Sequence, residues 1–282
     1  MKILIPIDFS PDALKALEYA TTLARLTDSM PSSPEAGTEL LIYHAFQIPA
    51  GGDTHFFVDS AMLDKAERDE RDKLRQLIST IPEIEQFPYR MVTRMAMPEE
   101  GIRQVIDEES VDLVVMGVRG ANESAQWLGS TAFQIIKNSP CPVLVVPRIT
   151  EVFQPKQVAF ATDLEAVEDI PFLPFLKKLV LGWKATLQVV HVHSHPAKMK
   201  VTEAVEALVL DRVFENIPHS CHFPEDDDPA HGIAKFLQSH AIDLLIMIPR
   251  QHNALESIFH KSITKYMSSH ISVPLLTLPD KA

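Results

Sequence analysis

Lys2-Ile3-Leu4-Ile5-Pro6-Ile7-Asp8-Phe9-Ser10-Pro11 decides the fold. The run from Ile3 to Ile7 is short and apolar at odd and even positions alike, as in a strand buried on both faces of a parallel sheet. Ser10 then offers a helix N-cap, and Pro11 suits the first helical position, where its missing N–H costs nothing. Beyond it Ala13, Leu14, Ala16, Leu17, Ala20, Leu23 and Ala24 fall at helical spacing and make one apolar face. A buried strand feeding an amphipathic helix opens an alternating α/β architecture.

The same grammar continues outward. Strands are expected at 40–46, 89–94, 112–117 and 142–147, and helices at 60–78, 99–109 and 130–138, with surface loops at 28–38 and 48–57. Then the unit is written again. Ile3–Phe9 resembles Val158–Leu164, with Asp8 and Asp163 in register 155 residues apart. Leu40–His44 resembles Leu187–His191, and Gly101 through Met116 resembles Gly232 through Met247 at a constant offset of 131. Pro142–Pro147 is matched by Val273–Pro279. Four blocks in the same order make a tandem repeat, divided into residues 1–150 and 151–282. In the second unit strands are expected near 157–162, 186–192, 219–223, 243–248 and 274–278, with helices near 170–182, 200–215, 230–239 and 261–269.

Composition narrows the function. With a net charge of −12 and no basic stripe, the chain is a poor binder of nucleic acid through phosphates. Two cysteines, Cys141 and Cys221, give no disulfide framework and fit a reducing compartment. Nowhere do about 18 apolar residues run together, so no membrane span is expected and a cytoplasmic location is. There is no Gly-x-Ser-x-Gly elbow, no Walker lysine motif and no readable pair of carboxylates, so any ATP turnover is expected to be slow and incidental.

In an open parallel sheet, ligands sit beyond the C-terminal strand ends. Asp8 ends the first strand there. Met116-Gly117-Val118-Arg119-Gly120 ends the fourth, and Gly129-Ser130-Thr131 enters the next helix. Glycines at such a turn let backbone N–H groups approach phosphate oxygens, and a helix N-terminus adds free N–H groups and partial positive charge. Plainer readings stand beside these: Asp8 satisfying backbone donors, the glycines serving turns at positive φ, and Ser130 as an N-cap. Trp127 and Leu128 read as packing residues.

These residues carry a resemblance. Ile5-Pro6-Ile7-Asp8-Phe9-Ser10, the strand ending at His44, Asp112 through Gly120, Gly129-Ser130 and Cys141 through Pro147 resemble the universal stress protein family in its tandem form. The resemblance implies two doubly wound parallel five-stranded sheets in tandem, each ordered 3-2-1-4-5, paired edge to edge as a pseudo-dimer. Pro142–Pro147 would then lie beside Pro274–Leu278. Some members bind ATP and others do not. In those that do, the residues corresponding to Asp8 and Ala45 hold adenine and ribose. A Gly-x-x-Gly, nine residues, Gly-Ser/Thr motif holds the phosphates. The expected site is therefore Pro6, Ile7, Asp8, Ala45, Met116, Gly117, Gly120, Gly129, Ser130 and Thr131, with ATP or a related adenine nucleotide, and Mg, as ligand.

Two departures accompany it. Only eight residues separate Gly120 from Gly129, one fewer than the motif. The second unit has Ile248, Gln251 and Lys261 where the glycines would stand, and Pro249 removes an N–H besides. That unit reads as degenerate, with Ser262 left as a plain cap. The chain is thus expected to be a nucleotide-responsive sensor or adaptor, with a nucleotide-independent interaction protein as the alternative and an unnamed protein partner in either case. Of the 12 histidines, 10 follow position 190; His191, His193 and His195 alternate, but are expected to leave the strand for a solvated loop rather than bind metal. Glu225–Asp228 reads as a surface turn.

Overall fold

Ile3, Ile5 and Ile7 enter one hydrophobic cluster and Leu4 enters another, so strand β1 (Lys2–Pro6) is buried on both faces. The computed structural model describes residues 1–29, 37–48, 60–118, 129–151, 154–164, 170–193, 201–249 and 273–280. The first cluster is built with α1 (Pro11–Asp28), α2 (Ser60–Ile78), α5 (Leu173–Trp183) and α6 (Val201–Val213), through residues such as Leu17, Leu74, Leu176 and Leu210. The second is built with α3 (Pro98–Glu109), α4 (Ser130–Asn138) and α7 (Pro229–Ser239), through Ile102, Ile135 and Phe236. Helices cover both faces of one sheet, and each cluster runs through both halves of the chain.

The remaining strands are β2 (Glu39–Phe46), β3 (Tyr89–Met95), β4 (Leu113–Gly117), β5 (Val143–Val146), β6 (Gln157–Ala161), β7 (Thr186–Val190), β8 (His219–His222), β9 (Leu244–Met247) and β10 (Leu275–Thr277). Their spatial order is β3-β2-β1-β4-β5-β10-β9-β6-β7-β8. Each half keeps the order 3-2-1-4-5, with parallel pairing throughout. The two five-stranded sheets meet at their final strands, as the resemblance implied, and run on as a single ten-stranded sheet. The seam is antiparallel, with Leu275 opposite Val145, Leu276 opposite Leu144 and Thr277 opposite Val143. All four residues of β5 are buried, and an unpaired edge there would leave buried N–H and C=O groups without partners. Each half supplies the other's missing neighbour. The Thr277 hydroxyl adds a bond across the seam, donating to the Val143 carbonyl at 3.2 Å.

The repeat also shows in local geometry. Phe9 and Leu164, each following its unit's aspartate, both adopt a left-handed φ of 61°. His44 and His191 donate from Nδ1 to the Ile7 and Thr162 carbonyls, at 2.6 and 3.0 Å. Asp112 Oδ2 accepts from the Lys2 N–H at 2.7 Å. Asp243 Oδ2 accepts from the Lys156 and Gln157 N–H groups at 2.8 and 2.9 Å. The second unit's ladder runs further than expected past β7. The His193 N–H donates to the Pro224 carbonyl at 3.1 Å and the His193 carbonyl accepts from Asp226 at 3.0 Å, so His193 stays half-buried instead of entering a solvated loop. His195, the helix expected at 261–269 and most of the two expected first-half loops lie outside the described residues.

Candidate functional site

At the C-terminal ends of β1 and β4 the chain leaves toward opposite faces of the sheet, which opens a crevice between them. A cleft of about 110 Å³ lies there, lined by residues that include Pro6, Ile7, Asp8, Ala45, Met116, Gly117, Gly129 and Thr131. Eight of the ten residues singled out in the sequence are thus brought to one place. Ser130 is exposed and does not line the cleft, and Gly120 lies outside the described residues, as do Trp127, Leu128, Gln251, Lys261 and Ser262.

Each lining residue is held by a local rule. The Ser10 hydroxyl caps α1, accepting from the Ala13 N–H at 3.1 Å. Asp8 Oδ1 accepts from the Ser10 N–H at 3.0 Å, which folds the carboxylate back over the turn between β1 and α1. The Ile7 N–H donates to the Tyr43 carbonyl at 2.7 Å, fixing β1 beside β2 at the depth of the cleft. His44 packs its ring 4.7 Å from that of Phe9 and sets Nε2 3.5 Å from Glu70.

The helix beyond the cleft corrects one expectation. Gly129, not Ser130, occupies the N-cap of α4, and no side chain caps it. Gly129 donates its own N–H to the Val118 carbonyl at 2.8 Å, so that group is spent on holding the turn. The N-cap glycine has no side chain with which to cap α4, and the helix starts beside the cleft with the positive end of its dipole. Contrast α1, whose end is capped by serine.

Gly117 is required for a reason absent from both sequence readings. A Cβ placed on it would stand 2.6 Å from the Asp12 carbonyl carbon and 2.9 Å from the Ala13 nitrogen, so β4 passes directly against the start of α1. Its need for glycine is close backbone approach, without positive φ. Sequence reasoning also missed Ala13, Tyr43, Pro98, Ile102, Val118 and Ala132 in the lining. Tyr43 was the findable one: it stands two residues before Ala45 on the same strand, hence on the same face.

Elsewhere the described residues hold no group of three or more His, Cys, Asp or Glu side chains able to bind a metal ion. Both cysteines are free, and burial pushes the Cys141 thiol up to about 11, away from nucleophilic use. The acidic run behaves as a turn. Asp226 accepts from the Asp228 N–H, and Asp228 caps α7 through the Ala230 N–H, both at 3.0 Å. Among the described residues no helix is long and apolar enough to cross a membrane.

The profile of the Universal stress protein family matches residues 1–147. Universal stress protein MJ0531 of Methanocaldococcus jannaschii is 28% identical over 157 residues, covering 52% of this chain and 82% of its own. A universal stress protein of Thermus aquaticus is 31% identical over 113 residues, 39% of this chain and 78% of its own. Among solved structures, a universal stress protein from Archaeoglobus fulgidus superposes with a TM-score of 0.71 at 17% identity, covering 99% of this chain and 98% of the other. That likeness extends the fold over both halves, and the profile match, over just more than half of the chain, places it in the universal stress protein family.

Proposed function

We propose that the first half binds ATP or a related adenine nucleotide, with Mg, and that the protein works as a cytoplasmic nucleotide-responsive sensor or adaptor in a stress response. The observation that carries this reading is the α4 N-terminus, without a side-chain cap and set beside a cleft that also gathers Asp8, Ala45, Gly117 and Thr131. The positive dipole end of α4 suits phosphate oxygens, while Ile7, Ala45, Pro98 and Ile102 offer apolar walls to a flat base. The Asp8 carboxylate suits a ribose hydroxyl. The second half reads as degenerate, because Ile248 is buried where the first half has Gly117, and Pro249 follows it.

Calorimetric titration of nucleotide-free protein with Mg-ATP, and with AMP, tests the proposal. Saturable binding near one site per chain is expected, with loss of about tenfold or more in affinity for Asp8→Ala. Absence of heat and of thermal shift at millimolar nucleotide would overturn it. A second reading, a nucleotide-independent interaction protein, is favoured by two features: the Gly120–Gly129 loop is one residue short, and the Gly129 N–H is committed to Val118.

A further inference from the structure

Tyr43 lines the base end of the cleft and carries a buried hydroxyl. Tyr43 is 1% exposed, and its hydroxyl has no hydrogen-bond partner among the described residues. Space for that hydroxyl is made by a glycine: a Cβ on Gly101, in the first turn of α3, would lie 1.8 Å from the Tyr43 oxygen. Burial pushes the phenol up to about 12, against the pull of the Arg94 guanidinium, so it remains a neutral O–H able both to donate and to accept. Leaving such a group unpaired is costly, and a phenylalanine would fill the same volume without that cost. The hydroxyl therefore calls for a partner that comes and goes with the ligand.

Position says which part of the ligand. Tyr43 lines the cleft together with Pro98 and Ile102 of α3, next to Ala45 on its own strand. The phosphate-suited groups stand on the other side, at Gly117 and the start of α4. We infer that the Tyr43 hydroxyl is a specificity-determining group that hydrogen-bonds the nitrogen-bearing edge of a purine base, an inference that rests on the nucleotide reading of the same cleft. A phenol is suited to that edge because it can donate to a ring nitrogen or accept from an exocyclic amine.

The test is Tyr43→Phe, read by calorimetry with both Mg-ATP and adenosine and by thermal melting without ligand. Affinity is expected to fall about 3- to 10-fold, by the same factor for adenosine and for ATP, because the lost bond is to the base. The unliganded melting temperature is expected to hold or rise, since the change removes an unpaired buried hydroxyl. Unchanged affinity would overturn the inference, and so would a loss confined to ATP, which would put the hydroxyl at the phosphates. A fall of several degrees in the unliganded melt would also overturn it, by showing that the fold itself uses the bond. Wild-type protein that binds neither probe would instead defeat the nucleotide reading beneath it.

Discussion

The two halves share a strand order, an aspartate after the first strand with a left-handed residue behind it, and a histidine bonded across to the first strand. They differ around the cleft: Gly117 against Ile248, Tyr43 against Val190, and a glycine-capped α4 with no described counterpart. What recurs therefore serves the fold, and what is confined to the first half is where a ligand-dependent role belongs. By that criterion Asp8 is ambiguous on its own, since Asp163 repeats it. It becomes part of a site only through its neighbours in the cleft.

The comparison is broken most directly at Gly117. Ile248 is buried at 2% exposure in the second half, so isoleucine is tolerable at that point of the repeat. In the first half the Asp12 backbone is 2.6 Å from where a Cβ would go, and backbone cannot swing aside as a side chain can. Gly117→Ile is expected to cost about 3 kcal/mol or more, seen as a melting-temperature loss of roughly 6–12 °C. A variant that melts like the wild type would mean α1 shifts freely, and would return Gly117 to a purely ligand-facing role. Loss of nucleotide binding in such a variant would follow from a disturbed fold. Asp8→Ala and Tyr43→Phe are the cleaner probes.

A smaller effect separates the aspartates that immediately precede β4 and β9. Asp112 receives one backbone N–H and Asp243 receives two, where the fourth strand of each unit meets the start of the first. Asp243→Ala is expected to destabilise by about 1–2 kcal/mol in a denaturant titration, and Asp112→Ala by about half of that. Equal losses would show that the second bond at Asp243 contributes nothing. Neither aspartate touches the cleft, so nucleotide affinity should be unmoved in both.

How much of this was legible beforehand follows from how local each cause is. Ile3–Ile7, the Ser10-Pro11 helix start and the constant offset of 131 are local or repeated signals, and they placed the strands and most of the helices. Edge pairing of the final strands came only with the family resemblance. That this pairing makes one continuous sheet needs the complementarity of two distant edges, which no window of sequence contains. At the site, residues at strand ends were readable, because a parallel sheet puts its ligands there. The approach of β4 to α1 at Gly117 and the placing of the Tyr43 hydroxyl over Gly101 are contacts between elements far apart in the chain. A glycine in sequence shows that a side chain is missing, without showing what fills the space.

The smallest expected contrast is in acid. Most histidines lie in the second half, and two described ones on β8 are shifted in opposite senses. Burial, assisted by nearby His240, holds His222 below the ordinary 6.5. The unfolded chain then binds that proton more readily than the fold does. Its contribution is intact above 6.5 and is lost as pH falls through the depressed value. For His219, burial pulls downward, but its bonds to the Ile217 carbonyl and Asp211 outweigh it and hold the group above 6.5. That proton is bound more tightly in the fold. Its stabilisation is full below 6.5 and is lost as pH rises through the raised value. Proton NMR titration of the two imidazoles should show His222 titrating below His219. In Asp211→Asn, His219 should titrate lower while His222 stays where it was. If the two titrate together in the wild type, burial beside His240 does not hold His222 down, and the acid sensitivity assigned to it is wrong.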